Sequence, residues 1–363
     1  VVLILITVSV SGGCGSSGEV DIEDSYSYMG AASSNKMSVY IANDNIIHMF
    51  IPDENTDIIL CNKADCIHES YNENSNSDPV CDAALNGELT DCCLPVLTED
   101  NIYLFGKKNM SEGVVYRENL DGSGRVELYT LDYQVNTYSK VYVIGNYAYV
   151  EASIPIVEES ESTGGTFTNK FQTVIIGVNL ENGSVTELSP VSEEEKEYSN
   201  MYILGVTDTG IYIGYRNGIE EVGSRVYLYD IREDKTELLF DENELAGVMV
   251  VGTTEKALCV ADNNTMEAYE ISYKDKTRVS IYKPETSNII YNVFHNRWII
   301  GDMDKETSGY IDGDRLIILD NVAAIQAVLG DYIDVIEDDN ARRVIYGNSV
   351  FSDKQDILLE IGQ

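Results

Sequence analysis

Arg225-Val226-Tyr227-Leu228-Tyr229-Asp230-Ile231-Arg232-Glu233-Asp234-Lys235-Thr236-Glu237-Leu238-Leu239-Phe240 is the stretch from which the rest of the chain can be read. Aliphatic residues alternate with tyrosines from Val226 onward, the period of a half-buried strand. Arg232 to Lys235 then make a charged turn, and a second apolar run ends at Phe240. The reading is strand, turn, strand.

The same unit returns on both sides of it. Towards the amino terminus, Ser38 to Ile41 and Ile46 to Ile51 flank Asn43-Asp44-Asn45, whose side chains tolerate left-handed backbone, and Asp57 to Leu60 follows. Leu94 to Leu97, Ile102 to Phe105, Val114 to Asn119 and Val126 to Leu131 form a four-strand group. Val141 to Ile144, Tyr147 to Ala152, Thr173 to Leu180 and Val185 to Leu188 form another, with Asn182-Gly183 as its hairpin turn. Inside it, Ile156 to Lys170 is rich in Glu, Ser and Gly and reads as a mobile loop on one rim. Met201 to Phe240, Val248 to Tyr282, Ile289 to Leu319 and Ile325 to Ile361 continue the pattern. A turn residue precedes the apolar strand at Asn45, Asn101, Asn146, Gly210, Lys256, Asn296 and Asp331, at spacings in the range of propeller repeats, about 35 to 65 residues.

Repetition of this kind predicts an all-β fold, a β-propeller of four-stranded antiparallel blades. Seven blades are favoured, with six or eight open. A single open sheet of so many strands would leave long unpaired edges, whereas radial repetition leaves only short ones. Pairing of the strand after Met37 with the carboxy-terminal unit would close the ring.

The chain has 363 residues, 44% of them hydrophobic, which is ample for a core. Its 25 tyrosines against 7 phenylalanines and 1 tryptophan suit strands with one wet face. A formal charge of −38 repels phosphate backbones and anionic headgroups, so nucleic acid is excluded as a partner. Basic peptides, cations and neutral glycans are left.

Val1 to Val10 is an apolar run too short to span a bilayer and of the length of a signal-peptide core. Ser11, Gly12 and Gly13 lead to Cys14 and then to Gly15-Ser16-Ser17-Gly18. This order resembles the lipobox of bacterial lipoproteins. The resemblance implies that residues 1–13 are a signal peptide, that Cys14 is lipidated, and that residues 14–36 are a flexible lipid-anchored linker. Residues 37–363 are then a single propeller held at the extracytoplasmic face of the cell membrane.

The repeat is interrupted by a cysteine-rich insertion spanning 61–93. Cys61, Cys66, His68 and Cys81 offer three thiols and an imidazole, a donor set for tetrahedral zinc, and metal binding would fold a loop too polar to fold itself. Disulfides are the rival, favoured in an exported chain with six cysteines besides Cys14 and weakened if the host is anaerobic. Cys92 and Cys93 can close the same loop as an additional disulfide, while Cys259 lies in a strand and reads as a buried thiol. Disulfides, a metal and unpaired thiols all stay open at the level of sequence.

Leu60-Cys61-Asn62-Lys63-Ala64-Asp65-Cys66-Ile67-His68, continued by Cys81-Asp82-Ala83, resembles a signature, LCNKPxCxH followed by CxA, of propeller lipoproteins from anaerobic Gram-positive bacteria, with a longer insert before Cys81. Asn119-Leu120-Asp121-Gly122-Ser123-Gly124 resembles the NLDGSG turn of propellers related to the YWTD and TolB-like families. The resemblance implies an exported propeller and does not imply an activity.

No catalytic residue stands out. His48 and His295 lie in or beside strands, and no Gly-x-Ser-x-Gly elbow, phosphate-binding loop or His-Glu-x-x-His occurs. Sixty-two acidic residues guarantee carboxylate pairs without identifying one. Asp121 and Asp312-Gly313-Asp314 read as turn residues in preference to calcium ligands, and Trp298 and the tyrosines as blade packing in preference to sugar platforms. The expectation is a non-catalytic binding or scaffold protein for a protein, peptide or glycan. The alternatives are an extracellular carbohydrate-active hydrolase or lyase with channel carboxylates, and an envelope assembly factor.

Overall fold

A computed structural model describes most of residues 26–346; the stretches of three or more residues outside the description are 1–25, 34–36, 42–44, 52–55, 160–165, 192–198, 218–223, 320–331, 338–341 and 347–363. Strand β1 (Tyr26–Tyr28) precedes a first unit of β2 (Ala31–Ser33), β3 (Ser38–Ile41), β4 (Ile47–Ile51) and β5 (Thr56–Ile59). The second unit is β6 (Leu94–Leu97), β7 (Asn101–Lys107), β8 (Gly113–Asn119) and β9 (Val126–Leu131). After β10 (Gln134–Val135), the third comprises β11 (Lys140–Ile144), β12 (Tyr147–Glu159), β13 (Thr166–Asn179) and β14 (Val185–Leu188). The fourth holds β15 (Ser199–Val206), β16 (Gly210–Asn217), β17 (Ser224–Asp230) and β18 (Lys235–Phe240). The fifth is β19 (Val248–Thr253), β20 (Ala257–Asp262), β21 (Ala268–Ser272) and β22 (Arg278–Tyr282), and the sixth β23 (Ile289–Phe294), β24 (Arg297–Asp302), β25 (Thr307–Asp312) and β26 (Arg315–Leu319). A hairpin of β27 (Tyr332–Glu337) and β28 (Arg342–Tyr346) follows.

Within each unit consecutive strands pair antiparallel. In the fourth, Tyr229 opposes Thr236 and Asp230 opposes Lys235, so the charged segment from Ile231 to Asp234 is the turn. The first strands of neighbouring units approach one another: β11 lies near β15, β15 near β19, and β19 near β23. Apolar layers fill the space between units. Tyr149 and Ile175 of the third pack with Met201 and Ile213 of the fourth, and Leu204 and Val226 of the fourth with Val248 and Leu258 of the fifth. Each buried aliphatic side chain of this kind contributes about 1.5–3 kcal/mol.

Local chemistry repeats along with the sheets. Thr98, Thr207 and Thr254 each close the turn between a unit's first two strands, their N–H donating to the carbonyl three residues on at 2.9, 2.8 and 2.9 Å. Asn119 and Asn179 begin the turns between third and fourth strands, where the N–H groups of Gly122 and Gly183 return to their carbonyls.

Three expectations are corrected. Part of the segment read as linker is sheet: β1 pairs with β2 and β11, Tyr28 opposing Lys140, because the backbone of Tyr26-Ser27-Tyr28 finds an open strand edge. The strand after Met37 pairs with β2 and β4 inside the first unit, so it does not complete the carboxy-terminal one. Ile156 to Lys170 is for the most part a continuation of the β12–β13 hairpin, paired as far as Glu159 opposite Thr166, since ladder hydrogen bonds come from the backbone whatever the side-chain polarity. The β1–β11 pairing and a parallel contact of Thr173 with Asn200 merge the first, third and fourth units into a 14-stranded sheet. Among the described residues no helix is long and apolar enough to cross a membrane.

Candidate metal centre

Between β5 and β6 the chain leaves the repeat, and Cys61, Cys66, His68 and Cys81 come together there. One ligand atom from each lies within 4.8 Å of every other. His68 Nδ1 is 3.4 Å from Cys81 Sγ. Cys81 is buried, and the other three are half-buried. A tetrahedral zinc with Zn–S of 2.3 Å sets its sulfurs about 3.8 Å apart, so a small contraction brings these atoms onto an ion.

The loop makes sharp local turns to achieve this. Asp65 (φ 63°) and His68 (φ 53°) both adopt left-handed backbone, and Cys66 N–H returns to Lys63 O at 3.4 Å. The two arms are tied by Lys63, whose ammonium meets Asp82 Oδ1 at 2.7 Å and the Val80 carbonyl at 2.5 Å.

The peptide units around Cys81 are each pinned. Ala84 N–H bonds Cys81 O at 3.2 Å, Ile47 N–H bonds Ala83 O at 2.9 Å, and Leu85 N–H bonds Asn45 O at 2.9 Å. Arg125 Nη2 and Nη1 hold the carbonyls of Asp82 and Ala84 at 2.6 and 2.7 Å. Arg125 Nε is 2.8 Å from Glu118 Oε2, and the Glu118 side chain is 0% exposed. Burial outweighs Arg125 at that carboxyl and pushes it up to about 7.

Amide donors converge on the sulfurs. Burial raises Cys61, but the N–H groups of Lys63 and Asp82 and the neighbouring thiols outweigh it, and its thiol sits below the ordinary value. At Cys81 burial dominates and pushes the thiol up to about 12, opposed by the Ala83 N–H. Zinc binding would have to offset that burial by taking the proton's place. Four protein donors, three of them sulfur, fill a tetrahedral sphere and leave no position for a substrate, which is the chemistry of a structural site.

The segments Leu60–His68 and Asn119–Gly124 meet here. Asn62 Nδ2 donates to Asp121 Oδ2 at 2.9 Å. Gly122, at φ +78°, lies so close to Leu60 that a Cβ would overlap its carbonyl oxygen. Asp121 Oδ1 accepts from Ser123 N–H and Oγ at 3.0 and 2.6 Å, which makes it a turn residue as expected. Nothing local in the sequence signals this contact, nor the roles of Arg125 and Glu118.

Among the described residues, Cys61, Cys66, Cys81 and Cys259 are free thiols. Cys93 is buried in the apolar cluster that also holds Cys81, Leu85 and Leu89, and it is not one of the four converging donors. Cys259 is buried in β20, as expected. Cys14, Cys92, His295 and the Gly313-Asp314 pair lie outside the described residues. His48 packs on Tyr40 with ring centroids 5.0 Å apart. Trp298 is 2% exposed and donates from Nε1 to Glu270 at 3.1 Å, so it is a packing residue.

No protein-family model and no curated protein matches the chain. Among solved structures it is similar to a prolyl endopeptidase studied for the role of inter-domain dynamics in catalysis and specificity, with TM-score 0.52 and 13% identity over 90% of this chain. The chain spans about half of that protein, 47% of its length. TolB of Acinetobacter baumannii (TM-score 0.36, 10% identity, 78% of this chain and 61% of that one) and dipeptidyl peptidase 4 of Porphyromonas gingivalis (0.40, 10%, 95% and 60%) match as well. With the repeated four-stranded units, the likeness to the prolyl endopeptidase shows an all-β, propeller-like fold.

Proposed function

We propose that the chain is an exported, lipid-anchored, seven-bladed propeller that works as a non-catalytic binding or scaffold protein, with a structural zinc at Cys61, Cys66, His68 and Cys81. The observation that carries this reading is the convergence of those four donors in the one long irregular connection between the first two units. Zinc there stiffens a loop of polar residues that has little apolar surface to bury. Six four-stranded units and the β27–β28 hairpin support the count of seven.

The stiffened loop also has the character of a docking surface. Ile67 (77% exposed) and Val80 (76%) are the most exposed large apolar side chains among the described residues, and each adjoins a ligand. Asp65, Glu69 and Asp78 are exposed around them, and Lys63 is engaged by Asp82. An apolar pair with an acidic rim fits a protein partner that carries a basic surface.

Metal analysis of the purified full chain beside a thiol count tests the centre. The reading expects one zinc per chain; zinc absent together with no free thiols would sink it. Photo-crosslinkers placed at positions 67, 80 and 279 in the expressing host test the surface. A discrete, salt-sensitive adduct at 67 and 80 but not at 279 is expected, and equal labelling at all three would remove the assignment.

A further inference from the structure

The peptide unit joining Asp82 to Ala83 has its two ends in different roles. Its carbonyl accepts from Arg125 Nη2 at 2.6 Å, and its N–H, on the opposite side of the planar trans unit, faces Cys81 Sγ. One residue earlier, the Asp82 N–H faces Cys61 Sγ. Two residues later, Arg125 Nη1 holds Ala84 O at 2.7 Å. The guanidinium therefore grips both sides of the peptide that serves Cys81. Its third direction is taken by Glu118, fully buried and 2.8 Å away, which fixes the plane of the fork.

We propose that Arg125 is the positioning residue of the metal centre: by holding the Asp82 carbonyl it aims the Ala83 N–H at Cys81, so that this buried sulfur can serve as a thiolate ligand. The inference rests on the zinc reading above and deepens it. Three observations support it beyond an ordinary ion pair. Glu118 uses only one of the guanidinium's three nitrogens, and both others reach the Cys81 arm, 41 and 43 residues away in sequence. Cys81 is the buried member of the four while the others are half-buried, so its sulfur depends most on protein donors. Three thiolates, a neutral imidazole and zinc carry a net negative charge, which the adjacent guanidinium offsets.

Lysine cannot reproduce this arrangement, since one ammonium cannot hold two carbonyls and a carboxylate in a plane. Outer-shell partners of this kind typically change metal affinity about 10–100-fold.

The test measures zinc affinity of the full chain by chelator competition in wild type, Arg125→Lys, Arg125→Met, Glu118→Gln and Arg225→Lys. Arg225 forms an equivalent ion pair with Glu242 at 2.6 Å in the fourth unit and serves as control. Affinity should fall about 10–100-fold in Arg125→Lys, at least as far in Arg125→Met, less in Glu118→Gln, and not at all in Arg225→Lys. A loop that had only loosened would give the same loss, so cobalt substitution supplies the second readout. Losing an N–H donor leaves the thiolate more electron-rich, and the sulfur-to-cobalt charge-transfer band of Arg125→Lys should move to longer wavelength. Unchanged affinity in Arg125→Lys, or lost affinity with an unmoved band, overturns the positioning role while leaving the zinc reading intact. A wild-type chain that takes up neither metal overturns both.

Discussion

Replacing Gly122 by alanine probes the contact between the Asn119–Gly124 turn and the metal loop. The residue sits at φ +78°, where an L-side chain is strained by about 1–2 kcal/mol. The added methyl also overlaps the Leu60 carbonyl oxygen, which must retreat by about 1.4 Å to restore an ordinary contact. That carbonyl belongs to the peptide whose N–H is Cys61's own, and Leu60 N–H is itself bonded to Ile47 O at 2.9 Å. Overpacking against backbone adds about 1–3 kcal/mol, for a total of roughly 2–5 kcal/mol. Gly247 supplies the control, since its φ is +76° and nothing lies within 4 Å of the position a Cβ would take, so Gly247→Ala carries the strain alone. Urea unfolding of both variants, zinc-saturated and chelated, separates the contributions. Metal sites tolerate ligand shifts of about 0.2 Å, so zinc affinity should fall about tenfold or more in Gly122→Ala and stay unchanged in Gly247→Ala. If Gly122→Ala loses no more stability than Gly247→Ala and keeps its zinc, the two motifs are not mechanically joined and the reasoning fails.

Phe240→Ala removes a ring buried between Leu204 and Tyr273, with Lys276 above its face, and should destabilise by about 3–5 kcal/mol in denaturant titrations. Burial raises Glu151 to about 7 although it accepts the Ile203 N–H at 3.0 Å. The native state therefore holds that proton to higher pH than the unfolded chain, and its share of stability, at most ~3 kcal/mol, should be lost as pH rises from about 4.5 to 7. Glu151→Gln should flatten that part of the pH–stability curve, and an unchanged slope would count against the assignment. In metal-free protein, iodoacetamide followed by mass spectrometry should label Cys61, whose thiol is lowered by the Lys63 and Asp82 amides against burial, before Cys81 and Cys259, which burial raises. Faster labelling of Cys259 would contradict its burial.

The opening hairpin was legible because its information is local: period-two alternation from Val226 and the charged turn at Arg232 to Lys235 state the pairing that β17 and β18 adopt. The four candidate donors could be named for the same reason, as unusual residue types close together in sequence. Their convergence could not, since it depends on Ala83 and Leu85 pinning themselves to Ile47 and Asn45. Gly122 against Leu60 and Arg125 on Asp82 are likewise encounters between distant segments, and composition carries no trace of them. Polarity misled at Ile156 to Lys170, where backbone pairing continues through Glu159 and Thr166. It misled again at Tyr26 to Tyr28, where β11 supplied an edge that the sequence of the segment itself does not announce.

That edge has a kinetic meaning. Tyr28 is made early, yet its partner Lys140 emerges only after the second unit and β10 have been synthesised. Closing so long a loop adds an entropic barrier that grows with the logarithm of its length. A strand made early is thus among the late ones to find its place. Refolding should show a slow phase reported by Tyr26 and Tyr28, insensitive to mutations in the fourth unit, and any factor that holds β1 during synthesis would set the pace of the whole chain.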